Sequence, residues 1–277
     1  MTAPVVYVCG HGPRELERLE RQGEIYGEIT RSLLLSSGLA LGMRVLDIGC
    51  GAGDVSLLAA EIVGPEGLVI GVDRAPEAVQ AARARAAAAG LRQLEFRRAS
   101  LDALVVEPKV DALVGRFVLM HQPDPARTLR LAADCVRPGG VIALIESDLV
   151  ASLAGPHSQP RSAGYDRILR LMVSIIQRSG SHADVGLRLP AIFVAAGLPT
   201  PFAHVQARLE ADQAAFVRRY LVESLRSMSA SAAQLGIEGV SETAIAALAA
   251  DLLAEDAAPR TLVAPLVVSA WCRLPEA

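Results

Sequence analysis

Three alternating glycines, Gly49, Gly51 and Gly53, follow the short apolar run Val45-Leu46-Asp47-Ile48. Glycine is needed where backbone must approach a ligand closely or adopt a positive φ. A second apolar run, Leu68-Val69-Ile70-Gly71-Val72, ends in Asp73, about 20 residues beyond Gly53. A carboxylate placed there can accept both hydroxyls of a ribose. Together the loop and the acid point to a nucleoside derivative. Charge and spacing narrow the choice. A dinucleotide loop reads Gly-x-Gly-x-x-Gly and seats a pyrophosphate on a helix N-terminus. Counted from Gly49, the sixth position here is Asp54; counted from Gly51, it is Ser56. Asp47 and Asp54 put negative charge beside the loop, which repels a pyrophosphate but suits a ligand bearing an ammonium and a sulfonium. S-adenosylmethionine (SAM) carries both, so the residues favour SAM over a nicotinamide dinucleotide.

The elements that position these groups follow from the pattern. Arg44 to Ile48 reads as a buried strand, and Asp54 to Val63 as the helix after it. Leu68 to Asp73 is a second strand. Pro76 and Gly90 bracket the next helix, the usual asymmetry of proline at the start and glycine past the end. Leu94 to Arg97 is a third strand and Asp111 to Gly115 a fourth. A helix over Asp124 to Val136 and a fifth strand over Val141 to Glu146 complete the alternation. Strands that are apolar throughout, each followed by a helix, make a parallel sheet with helices on both faces. We therefore expect an α/β, Rossmann-like doubly wound core over residues 39–150. Residues 1–38 form an N-terminal helical cap, with Leu16, Leu19, Ile25, Ile29 and Leu33 at helical spacing. Residues 151–277 form a helical lid and substrate region, with helices near 160–197 and 211–256. Two alternating, β-branched stretches, 201–209 and 262–274, supply the last strands.

The run Val45 to Gly53, with Cys50 between its glycines, resembles the first motif of class I SAM-dependent methyltransferases of the ubiquinone/menaquinone-biosynthesis type. Gly71-Val72-Asp73 is similar to that family's ribose-binding strand. Asp111 to Arg116 followed by Leu119 to Pro125 resembles its segment after strand four. Arg137-Pro138-Gly139-Gly140 resembles its turn before strand five. The resemblance covers about residues 39–150. It implies a sheet of seven mostly parallel strands with one antiparallel edge hairpin strand, here 262–274. It also implies that Asp47, Gly49, Cys50 and Gly51 line the methionine half of SAM, that Asp73 holds the ribose, and that Arg74 flanks the adenine. Arg116 borders the methionine end. The family often carries an acid after strand three that contacts the adenine amino group. Here Ser100 takes that position and Asp102 follows two residues later, so either Ser100 or the backbone of Leu101 serves instead. Gln22 and Tyr26 fall where the family has a helix closing over the cofactor. Four apart, they share a helix face and are placed to bond the SAM carboxylate, to line the substrate cavity, or simply to pack.

Methyl transfer from SAM is an in-line displacement that needs alignment and exclusion of water. A base is needed only when the acceptor must lose a proton. His121, after strand four at the rim of the crevice, is the candidate catalytic base and substrate contact, the alternative being a histidine that touches SAM or simply packs there. Glu146 ends strand five at the same rim, placed to position substrate or cap the following loop. His157, His182, His204 and Asp148 read as surface or loop groups. The function expected is methyl transfer to oxygen, nitrogen or carbon of a small-molecule metabolite. The alternatives are a SAM- or nucleoside-binding protein without transfer and, on weaker grounds, an NAD-dependent oxidoreductase. Composition fits a soluble, cytoplasmic enzyme: 277 residues, 52% hydrophobic, net charge −3. No basic run suggests a nucleic-acid footprint, and no stretch approaches the ~20 apolar residues of a membrane span. No basic segment precedes an apolar run at the N-terminus, so no signal peptide is expected. The four cysteines lack metal-ligand spacing, so no metal is expected. A homodimer is compatible with this composition.

Overall fold

The computed structural model describes residues 7–10, 12–211, 215–255 and 260–276. The ends of the expected cap (1–6, with 11) and parts of the expected helical run 211–256 (212–214 and 256) lie outside the described residues. A long helix, α1 (Pro13–Ser36), precedes the sheet. Strand and helix then alternate: β1 (Arg44–Ile48), α2 (Asp54–Val63), β2 (Leu68–Asp73), α3 (Pro76–Ala88), β3 (Leu94–Arg98), β4 (Val110–Arg116), α4 (Pro125–Ala133) and β5 (Val136–Ser147). The later elements are α5 (Leu149–Ala154), β6 (Ser158–Gln159), α6 (Ala163–Arg178), α7 (Val185–Ala195), β7 (Phe202–Gln206) and β8 (Leu209–Ala211). They continue through α8 (Ala215–Ser227), α9 (Ser229–Gln234), α10 (Glu242–Ala254), β9 (Thr261–Val263) and β10 (Val267–Arg273).

The main sheet has seven strands in the order β3-β2-β1-β4-β5-β10-β7. Strands β1 to β5 pair in parallel, and β10 runs antiparallel to both β5 and β7. The antiparallel strand thus lies one place in from the edge, with β7 outside it. Strands β1, β2, β4 and β5 are apolar and buried over nearly their whole length, because helices cover both faces. The strand order reverses between β1 and β4. That reversal opens a crevice beyond their carboxyl ends, the usual ligand position in such sheets.

The two late strand predictions each resolve into two strands. The stretch 262–274 splits into β9 and β10 around Pro265, which has no N–H to give a ladder. The Leu266 N–H donates instead to Ser152 Oγ (2.9 Å). The stretch 201–209 becomes β7 and the start of β8. Strands β6, β9 and β8 form a separate small sheet that sequence patterning did not reveal, since each has only two or three residues. Of the helices in 151–277, α6 and α8 line the crevice, whereas α7 packs on β5 and β10. Helix α6 starts at Ser162, whose hydroxyl accepts the Tyr165 N–H, and buries Tyr165, Ile168, Leu169, Met172, Ile175 and Ile176 along one stripe. Among the described residues no helix is long and apolar enough to cross a membrane.

Candidate cofactor and acceptor site

The carboxyl ends of the central strands open into a cavity of about 370 Å³, within the range of small-molecule sites. Gly49 and Gly51 form one wall. Gly49 has φ +60°, and a Cβ there would meet Val118 Cγ2 at 2.8 Å. Only glycine keeps this main chain against the wall. At the tip of β2, the Asp73 carboxylate accepts the N–H groups of Gly51 (3.0 Å) and Ala75 (2.9 Å). These two bonds fix its orientation and leave further lone pairs facing the cavity. Beside it lie Arg74, Ala75 and Ala78, and across from them Ser100, Leu101 and Asp102. The Asp102 carboxylate is engaged by Arg127 Nη1 (2.6 Å). Arg74 stands over the Tyr7 ring, 6.0 Å from its centre.

Arg116 closes the other end. It is buried, donates from Nη1 to Thr30 Oγ1 (2.9 Å), and lies 3.7 Å from Asp54. Its Nε is shielded from solvent and has no partner. Asp47 accepts the Ser56 hydroxyl at 2.6 Å, and its other oxygen is likewise shielded and unpartnered. Burial raises the Asp47 carboxyl to about 7. It lies behind the glycine loop and does not line the cavity. The buried Arg116 guanidinium, which lines the cavity and keeps an orphan Nε donor at this end, suits the carboxylate of an amino-acid moiety. With Asp73 placed for a ribose and a slot between Ala78 and Leu101 for a flat base, these residues fit SAM.

Several expected contacts fall elsewhere. The Cys50 side chain turns away from the cavity and packs with Val79, Ala82, Ala86 and Phe96, because alternate residues of the loop point to opposite sides. Tyr26 is fully buried and does not line the cavity; its hydroxyl donates to the Pro265 carbonyl (2.9 Å). Its ring stands edge-on to Phe117 and Tyr220, so it supports the wall rather than meeting a substrate. Glu146 is also inaccessible. It accepts the N–H groups of Val118 (2.9 Å), Leu119 (2.7 Å) and Met120 (3.3 Å). Burial lifts its pKa to about 7 against the lowering effect of those donors. It holds the turn after β4 and does not reach a substrate. His157, expected at the surface, is buried and bonded to Asp166. Asp148, also expected there, is buried as the N-cap of α5 and accepts the Leu187 N–H as well.

His121 does line the cavity, on the turn that Glu146 holds and that the His182 N–H pins through the Met120 carbonyl (2.8 Å). Its ring is edge-on to Tyr7 with 4.8 Å between centres. Burial, reinforced by the charges of Arg18, Arg74 and His182, lowers its pKa to about 3. The imidazole is therefore neutral at physiological pH. Its Nδ1 is shielded and unpartnered.

Two walls escaped sequence reasoning. The first is a polar clasp. Arg18 donates from Nε and Nη2 to both Glu15 oxygens (2.7 Å each) and from Nη1 to Gln22 Oε1 (2.6 Å). Glu15 also accepts the hydroxyls of Tyr7 (2.6 Å) and Ser227 (2.7 Å). Gln22 therefore lines the cavity as expected, but its carbonyl is committed to Arg18. The signal was present, since positions 15, 18, 19 and 22 share one helix face. The second wall is the lid: Met172 and Ile176 of α6, with Tyr220, Ser224 and Met228 at four-residue spacing along α8 and just beyond it. Only that spacing marked it.

A doubly wound sheet with a glycine loop, an acid at the tip of β2 and a cavity at the switch point defines a nucleoside-binding α/β domain. Residues 39–175, just under half of the chain, match the model of a methyltransferase domain. An arsenite methyltransferase of Halobacterium salinarum is 36% identical over 121 residues, 43% of this chain and 30% of that protein. A ubiquinone biosynthesis O-methyltransferase of Paracidovorax citrulli is 36% identical over 101 residues, 36% of this chain and 41% of that protein. The chain thus spans less than half the length of these relatives. The solved YcgJ protein of Bacillus subtilis superimposes with a TM-score of 0.54 over 90% of this chain and 100% of its own, at 17% identity. That likeness concerns the fold alone.

Proposed function

We propose that this protein is a SAM-dependent methyltransferase that moves a methyl group to oxygen, nitrogen or carbon of a small molecule. The observation that carries this reading is Asp73 facing the Gly49–Gly51 backbone in a cavity that continues under the lid. SAM, when bound, supplies a methyl carbon already activated by its sulfonium. The chain's own work is to bind, align and dry the site. Asp73 accepts the ribose hydroxyls, Arg74, Ser100 and Leu101 border the base, and Gly49, Gly51 and Arg116 border the amino-acid end. The clasp on α1 and the lid helices exclude water. His121 offers a neutral hydrogen-bonding group to the acceptor rather than a base. The reading treats residues 1–38 as a cap, 39–150 as the cofactor core and 151–277 as the substrate lid. It also takes the protein as cytoplasmic, without a nucleic-acid partner, and a homodimer as the assembly to check by light scattering.

Calorimetric titration with S-adenosylhomocysteine tests the cofactor. Hydrogen bonds to a charged group are worth about 1.5–3 kcal/mol each, so Asp73→Ala is expected to weaken binding at least tenfold. Unchanged affinity overturns the assignment. Formation of S-adenosylhomocysteine from SAM across a metabolite panel tests transfer. Binding without any turnover would instead make this a nucleoside-binding protein.

A further inference from the structure

We propose that the lid end of the cavity takes an uncharged, mainly apolar acceptor that presents a hydroxyl or carbonyl oxygen to Ser224. This rests on the methyltransferase reading and names the acceptor class for it. The wall there is made by Leu149, Met172, Ile176 and Met228, all apolar. The ionic groups at that end are already matched to each other. Every guanidinium nitrogen of Arg18 is bonded within the protein, and both Glu15 oxygens accept from the protein as well. Asp73, Arg74 and Arg116 stand at the cofactor end. A charged acceptor would therefore lose its hydration without gaining a counter-ion.

Ser224, one turn beyond Tyr220, adds a hydroxyl to this wall. It is 1% exposed, lines the cavity, and among the described residues its Oγ has no well-aligned hydrogen-bond partner. The Tyr220 hydroxyl, one turn earlier on α8, lies near it. A buried hydroxyl without a partner is destabilising, and a polar atom on the ligand would satisfy it. His121 Nδ1 is a second shielded group on the same cavity, without a hydrogen-bond partner among the described residues, which suits an acceptor that carries a second polar atom.

The test uses the full chain saturated with S-adenosylhomocysteine and three para-ethyl aromatic probes of similar size: 4-ethylphenol, 4-ethylbenzoate and 4-ethylbenzylammonium. Binding is read by equilibrium dialysis in wild type and Ser224→Ala. The neutral phenol is expected to bind at least tenfold more tightly than either ion, and the variant to weaken the phenol about fivefold to tenfold. The affinity for S-adenosylhomocysteine, measured in parallel, confirms that the variant is folded. Equal binding of either ion, no binding of the phenol, or an unchanged phenol affinity in Ser224→Ala overturns the proposal. Loss of S-adenosylhomocysteine binding in the wild-type protein overturns the cofactor reading instead, so the two failures are distinguishable.

Discussion

Glu146 is a carboxyl group without water, facing three main-chain N–H groups. Its pKa in the fold is about 7, above its ordinary value of 4.5. The folded state thus holds this proton more tightly than the unfolded chain does. The stabilisation is complete below the ordinary value and is lost as pH rises through about 7. Asp47, raised to about 7 by burial, acts in the same direction. His121 acts oppositely. Its pKa is depressed from 6.5 to about 3, so its contribution is full above the ordinary value and is lost as pH falls toward 3. Glu146→Gln keeps an acceptor for the turn but removes the titration. Scanning calorimetry should therefore show wild type losing its advantage over this variant between pH 5 and pH 8. A constant difference in Tm would contradict the assignment. For His121, the ring resonances in an NMR titration should stay at their neutral positions from pH 8 to pH 5. A midpoint near 6.5 would restore it as a candidate base.

At the level of elements, glycine has different meanings in the loop and in the helix. Gly49 combines φ +60° with an imagined Cβ 2.8 Å from Val118. A left-handed conformation costs a residue with a Cβ roughly 1–2 kcal/mol, and the clash adds to it. Gly49→Ala should lower Tm by several degrees and weaken S-adenosylhomocysteine binding, because the loop and the Glu146-held turn pack directly on each other. Gly27 sits inside α1 with nothing within 4 Å of a Cβ. Gly27→Ala should raise stability by about 0.5–1 kcal/mol, read from urea midpoints, with cofactor affinity unchanged.

The whole molecule is closed by side chains that sequence order keeps far apart. Glu15 joins Tyr7, Arg18 of α1 and Ser227 of α8 in one buried cluster above the sheet. Removing one member of a buried pair leaves the other charge uncompensated, at a cost of about 3–5 kcal/mol. Glu15→Ala should lose stability on that scale in chemical denaturation. Amide exchange over residues 216–228 should rise with it, since the clasp is what ties α8 to α1. Unchanged exchange there would mean that the apolar contacts alone hold the lid.

The sequence by itself determined the core. Continuous apolar runs ending in glycine or aspartate make buried parallel strands, and the spacing of Gly49, Gly51, Gly53 and Asp73 puts a ligand at their carboxyl ends. These are local properties of period, turn chemistry and charge, legible without coordinates. What they could not state is which way a side chain points once the sheet twists and the lid descends. Cys50, Tyr26 and Glu146 lie next to the right place in the chain, yet Cys50 is turned away by the alternation of the loop, and Tyr26 and Glu146 are directed into the interior by neighbours from distant segments. The Pro265 carbonyl takes the Tyr26 hydroxyl, and the turn after β4 takes Glu146. The neutrality of His121 depends on burial beneath Tyr7 and on the charges of Arg18 and Arg74. Desolvation is a property of the assembled cavity and of no single segment. For the same reason the cavity wall of Met172, Ile176, Ser224 and Met228 existed only after α6 and α8 were packed over the crevice.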